Sequence, residues 1–193
     1  FIGNNNTTNA VPAANVNGHE ATNLSSGHYT VRAINNLTGC VGVKSFFLSE
    51  DINYPEISTT ITPNGVCDPN FGTADFTGEI VAEVSFGGSV VTDLSNYTFT
   101  WYEGETVTGD VIASGTNLHT LSNQDAGKYT LVVSNDALSC ASNPVVLEIG
   151  SVKVTPVVTV VEEAPNTSCD IAAPNGSLSA HVGGNTADYT FQW

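Results

Sequence analysis

Through its middle, the chain changes character at every second position. Ile57, Thr59 and Ile61 form one such run, and Ile80, Ala82, Val84 and Phe86 form another, which Gly87-Gly88 closes. Tyr97, Phe99 and Trp101 mark a third, and Val111-Ile112, Leu118 to Leu121, Tyr129 to Val133 and Val145 to Ile149 supply the rest. A period of two puts one set of side chains on one face of a strand. About seven such strands in about 100 residues, with turn residues between them, predict an all-β antiparallel sandwich. No segment carries a convincing helical period. Thr, Asn, Ser, Gly and Val dominate and Met is absent, which is a strand-and-turn composition.

The pattern occurs more than once. Shifted by 100 positions, Val11 falls on Val111, His19 on His119, Asn23 on Asn123, Gly27 on Gly127, Tyr29 on Tyr129, Asn35 on Asn135 and Cys40 on Cys140. Residues 63–68, Pro-Asn-Gly-Val-Cys-Asp, return as Pro165-Asn166-Thr167-Ser168-Cys169-Asp170. Tyr97-Thr98-Phe99-Thr100-Trp101 returns as Tyr189-Thr190-Phe191-Gln192-Trp193. The shift changes along the chain, as loop insertions would make it, and self-similarity at this period means tandem domains. Phe1 and Trp193 both fall on the Trp101 position. Residues 1–50 are therefore expected to be the C-terminal half of one repeat, 52–150 a complete repeat, and 151–193 the N-terminal half of the next. Neither half could bury its apolar face alone. The chain reads as a window on a longer string of repeats, and strand complementation between separate subunits is the alternative.

Charge narrows the partners. Four basic residues stand against nineteen acidic ones, for a net charge of −15. Nucleic acids and anionic membrane surfaces need clustered Lys and Arg, so neither is expected as a partner. No apolar run is long enough to span a bilayer as a helix. Hydrophobic residues make up 40% of the chain, enough to build a core.

Residues 123–140, "NQDAGKYTLVVSNDALSC", carry a further signal. Asp125-x-Gly127-x-Tyr129 before a strand resembles the tyrosine corner of immunoglobulin-like domains, and Gly27 and Tyr29 repeat it. Trp101 stands where the core Trp of the third strand would stand. The position two residues after the corner Tyr is Leu131 rather than Cys, so the resemblance implies a sandwich without the core disulfide. The full order of motifs runs Asn-x-x-Cys-Asp, Asn-Gly-Ser-Leu, Gly-Gly, Tyr-Thr-Phe-x-Trp, Gly-x-Tyr-Thr and a late Cys. It is similar to the tandem Ig-like repeats of very large Bacteroidota surface adhesins, including those of gliding motility. That resemblance covers essentially the whole chain. It implies an exported, cell-surface, extracellular protein.

Cys40, Cys67, Cys140 and Cys169 sit at repeat-equivalent places, which suggests structural disulfides in an oxidising compartment. Their spacing does not fit a zinc ribbon. Cys67–Cys140 within one domain is the simplest pairing, contributing about 4 kcal/mol in the chain-entropy model. Cys40 and Cys169 would then pair outside this chain or in adjacent copies. The alternative is that all four bridge neighbouring domains lengthwise, because Cys67 and Cys140 belong to opposite ends if residues 54–62 are the first strand.

No catalytic constellation emerges. His19 and His119 are one position in two copies, and His28 is matched by Lys128. The acidic residues are dispersed, so no carboxylate pair for glycoside hydrolysis can be named. No cofactor is expected. Calcium at the domain junctions, on Glu50-Asp51 or Glu162-Glu163, is the one ion worth testing. The Asn-x-Ser/Thr triplets at Asn6, Asn36, Asn96 and Asn166 are what chance gives in so Asn- and Thr-rich a chain.

The leading expectation is a non-enzymatic structural segment of a stalk or filament, whose partners are neighbouring repeats or identical copies. The alternatives are a module that recognises glycan or a surface protein through loops 87–96 and 103–110, or an accessory domain of a secreted hydrolase.

Overall fold

The computed structural model describes residues 1–72 and 74–193. It is built from strands, with a single 3-10 turn at Ala13–Asn15 among the described residues. Two compact units divide the chain, Phe1–Asn53 and Tyr54–Trp193.

The first unit holds a minor ribbon, β1 (Val16–Asn17) with β2 (Glu20–Ala21), and a long hairpin, β3 (Gly27–Ile34) with β4 (Val41–Leu48). The β3–β4 pairing runs unbroken from Gly27↔Leu48 to Ile34↔Val41. Ile2 bridges to Tyr29. Phe1 N donates to Thr30 O and Thr30 N to Phe1 O, both at 2.9 Å, so the first residues lie along the other edge of β3 and Phe1 takes the position of Tyr102, the partner of Thr130, rather than that of Trp101 as the sequence suggested.

The second unit contains an antiparallel β-sandwich of two sheets. Its strands are β5 (Glu56–Thr62), β6 (Gly78–Phe86), β7 (Ser89–Val90), β8 (Tyr97–Glu103), β9 (Val111–Thr116), β10 (Thr120–Gln124), β11 (Gly127–Asn135), β12 (Cys140–Ala141) and β13 (Val145–Ile149). Setting aside the two-residue β7 and β12, seven strands carry the fold, as the alternation predicts. One sheet runs β10-β6-β5 with β7 on the edge of β6. The other runs β12-β11-β8-β9, with β13 also on β11. Each of these strand pairings is antiparallel.

Alternation explains the core. Ile80, Ala82 and Val84 face inward from β6; Tyr97, Phe99 and Trp101 from β8; Tyr129, Leu131 and Val133 from β11; and Leu147 and Ile149 from β13. All are buried, and Ile57, Val91, Leu94, Ala113 and Val145 pack around them. Each large side chain buried this way is worth roughly 1.5–3 kcal/mol, an upper figure for a compact unfolded chain. Trp101 is fully enclosed, and its indole Nε1 donates to Leu118 O at 2.8 Å. That bond satisfies the one polar atom the burial would strand.

The sandwich is entered at one end and left at the other. Glu56 pairs with Ser85 near the β6–β7 turn, whereas Ile149 pairs with Gly127 at the start of β11. The loop after β5 lies at the exit end, since Asn64 N donates to Gly150 O at 2.9 Å and Asn64 bridges Ser151.

That polarity corrects one expectation. Cys67 follows Asn64 at the exit end, while Cys140 pairs with Asn135 at the other end of β11. The eight residue steps from Gly127 to Asn135 span about 26 Å at strand rise. A disulfide tolerates a Cα separation of no more than about 7 Å. An intradomain Cys67–Cys140 bond is therefore excluded, and none of the four cysteines is bonded to another within this chain.

Beyond the sandwich, β14 (Val158–Ala164) and β15 (Ser177–Val182) form a hairpin. Val158↔Val182, Val160↔Ala180 and Glu162↔Leu178 repeat the register of Ile57↔Val84, Thr59↔Ala82 and Ile61↔Ile80. The register then slips between Glu162 and Ala164. This one-residue bulge accounts for one step of the changing shift, from 101 at Val158 against Ile57 to 102 at Pro165 against Pro63. The β15 hairpin turn Gly183-Gly184 adopts φ of 57° and 79°, against 58° and 77° at Gly87-Gly88. Two successive left-handed residues are what a two-residue hairpin turn requires.

Candidate functional site

The most developed polar cluster in the sandwich lies at its exit end. Asn64 is fully buried there. Its Oδ1 accepts from Val66 N and Thr77 N, each at 3.0 Å. Its Nδ2 donates to Val66 O at 2.9 Å and to Asp125 Oδ1 at 2.7 Å. A buried amide must find partners for both ends, and here one side chain ties the β5–β6 loop to the residue before β11.

Asp125 gathers three donors. Besides Asn64, Lys153 Nζ donates to Asp125 Oδ1 at 2.6 Å and Ala126 N does so at 2.6 Å. Lys153, then the Ala126 amide, hold the carboxyl below its ordinary range, and the Asn64 amide adds to this. Lys153 Nζ also stands 5.8 Å from the Phe76 ring centroid. The cluster joins three chain segments through satisfied groups. All three donors converge on Asp125 Oδ1, so the cluster acts as a clasp between these segments.

The Tyr corner is part of the same clasp. Tyr129 Oη donates to Asp125 O at 2.9 Å, and Tyr29 Oη donates to Ser25 O at 2.7 Å. Burial is the main cause that raises the Tyr129 pKa, with the Asp125 charge adding to it. Other small devices recur too. Asn135 Oδ1 accepts from Ala137 N and Leu138 N, and Asn35 Oδ1 accepts from Leu37 N and Thr38 N. Asn123 and Asn23 share a left-handed backbone at φ 58° and 54°. Asn tolerates that conformation better than most residues. Gly127 and Gly27 open β11 and β3, and Trp193 lies outside any strand.

The remaining sequence candidates are not brought together. His119 Nδ1 lies 3.1 Å from Asn117 O with its ring edge-on to Phe99, and the His28 ring is tilted by 59° against Phe47. Among the described residues, no three His, Cys, Asp or Glu side chains cluster as a metal site. Loop 87–96 precedes Tyr97 at the entrance end, while loop 103–110 leads away from Glu103, the partner of Tyr129, at the exit end. These loops do not form one surface. Loop 103–110 is also pinned, by Glu103 N donating to Asp110 O at 2.9 Å and by the Lys128–Glu105 ion pair.

Sequence reading missed Asn64 and Lys153. The only available signal for Asn64 was its return as Asn166 inside a repeated Pro-Asn. Asn166 Oδ1 accepts from Ser168 N at 3.2 Å and Asn175 N at 3.0 Å, the loop half of the same pattern.

In the first unit, an open apolar cleft of about 440 Å³ is lined by Phe1, Val11, Val16, Leu24, Tyr29 and Phe46, among others. Compared with protein-family models, curated proteins and solved structures, the chain finds no match in any of the three.

Proposed function

We propose that this chain is a structural repeat segment of an extracellular surface adhesin, stalk or filament, without catalytic activity of its own. The observation that carries the reading is the repetition of scaffold devices rather than of a reactive site. The tyrosine corner, the Asn35/Asn135 turn and the Asn64/Asn166 loop all recur. Each of them fixes the geometry of a sandwich. A sandwich entered at one end and left at the other is suited to threading on a string, whose length then scales with repeat number.

The similarity of the motif order to gliding-type Bacteroidota adhesin repeats supports placement on the cell surface. The excess of acidic residues supports a polymer that keeps clear of its neighbours. The alternative of a recognition module is tested by presenting the 193-residue chain to glycan arrays and to surface-protein extracts. A structural segment gives no saturable binding. Saturable binding abolished by changes in one loop would replace this reading.

A further inference from the structure

We propose that Lys153, Asp125 and Asn64 form a site of self-modification, at which the Lys153 amine displaces ammonia from the Asn64 side chain and leaves an amide cross-link between the two. The bond would join the loop after β5 to the segment after β13, and so tie the first strand of the sandwich to the last. A pull along the chain would then pass from one segment to the other without loading the strands between. This goes beyond the structural reading and does not rest on it: covalent mass decides this inference, and ligand binding decides that one.

The reaction needs a nucleophile, an electrophile and a proton carrier, and one oxygen gathers them. Lys153 Nζ donates to Asp125 Oδ1 at 2.6 Å, and Asn64 Nδ2 donates to the same atom at 2.7 Å. A carboxylate in contact with both nitrogens can take a proton from the attacking one and give a proton to the leaving one. Lys153 ends on a flexible stem, so a short swing carries Nζ from Oδ1 toward Asn64 Cγ. The loop holds the electrophile still. Asn64 Oδ1 accepts from Val66 N and Thr77 N, each at 3.0 Å, and from Thr77 Oγ1 at 3.3 Å. Such donors stabilise the charge that develops on Oδ1 when Cγ becomes tetrahedral. Asn64 is fully buried, which keeps competing water from Cγ, and the Phe76 ring lies 5.8 Å from Nζ. The trio is not a scaffold device that recurs. Ser25 stands at the Asp125 position of the preceding repeat, and residues 49–55, which follow β4, contain no Lys.

The steps balance. Asp125 takes one proton from the Lys153 ammonium, and the freed lone pair of Nζ forms a bond to Cγ while the carbonyl electrons move onto Oδ1. Asp125 gives the proton to Nδ2, the carbonyl re-forms, the Cγ–Nδ2 bond breaks and ammonia leaves. The surplus proton on Nζ passes through the carboxylate to that ammonia, so Asp125 ends as it began. A side-chain ammonium and a primary amide become a secondary amide and an ammonium ion, with no net oxidation and no co-reactant. One route competes: attack of Gly65 N on the same Cγ gives an imide and also expels ammonia. Gly65 N is engaged elsewhere, donating to Thr77 Oγ1 at 2.9 Å.

Mass spectrometry of the 193-residue chain, before and after incubation at neutral pH, tests this. The wild-type chain should come to lie about 17 Da below its sequence mass through the loss of one ammonia. Its digest should contain a branched peptide joining Asn64 to Lys153. Lys153→Arg keeps a cation beside Asp125 but supplies no nucleophilic amine, so it should retain its full mass and its β circular dichroism. Asp125→Asn should slow the loss by about a hundredfold or more. Gly65→Ala suppresses the imide route and should still lose the ammonia, because a Cβ there meets nothing nearer than Val152 Cγ2 at 3.6 Å. A wild-type chain that keeps its full mass, a loss that persists in Lys153→Arg, or a loss that disappears in Gly65→Ala would each overturn the inference.

Discussion

Asn64 Nδ2 donates to Asp125 Oδ1 at 2.7 Å across 61 positions of sequence, and so ties the loop after β5 to the turn that starts β11. Removing it by Asn64→Ala strands the Val66 and Thr77 amides and empties a buried site. Unsatisfied buried donors cost about 1–3 kcal/mol each. The expected loss for the 193-residue chain is about 2–4 kcal/mol, read as a lower urea midpoint of the sandwich transition.

Gly78 is a second point of tight approach. A Cβ there would lie 2.3 Å from Gln124 O and 2.8 Å from Ile149 Cγ2. The clash is with backbone and with a buried side chain, so neither yields cheaply. Gly78→Ala should destabilise by about 1–3 kcal/mol. Gly176→Ala, where the nearest atom is Asn166 N at 3.1 Å, should cost less in the same denaturation experiment.

Asp125 gives the clasp a pH signature. Its folded pKa lies below the ordinary aspartate value, so the unfolded chain takes up the proton first as pH falls. The contribution is therefore fully present above the unfolded value and is lost as pH falls through the lower folded one. Urea midpoints should decline from about pH 5 to about pH 2. Asp125→Asn should flatten that decline while lowering the midpoint at neutral pH, because Lys153 loses its counter-charge. An unchanged slope in the variant would place the acid sensitivity elsewhere.

The cysteines make a negative prediction with a clear readout. Since Cys67 and Cys140 lie at opposite ends of one sandwich, a non-reducing peptide map should contain no fragment joining them within a chain. Reductant should leave the urea midpoint of the sandwich unchanged. A midpoint that falls on reduction would contradict the strand polarity described here.

Much of the sandwich was legible because its strands alternate. Ile80, Ala82 and Val84, and likewise Tyr97, Phe99 and Trp101, carry the signal in their spacing and are all buried. The strand expected at Leu118 starts instead at Thr120, because Asn117 takes a left-handed φ of 61° that breaks the extended run. The clasp was not legible. Asn64 sits between Pro63 and Gly65 in a stretch that reads as an ordinary turn. Only the fold brings Asp125 and Lys153 to it. The opposite-end placement of Cys67 and Cys140 was legible once residues 54–62 were read as the first strand, and β5 at Glu56–Thr62 is that strand.

The central claim, that this chain is a length of structural string, is tested most directly by electron microscopy of the native particle that carries it. The account predicts a thin, beaded rod or thread whose length increases in step with the number of repeats. A compact head, with these sandwiches folded around another domain and no dependence of length on repeat number, would contradict it.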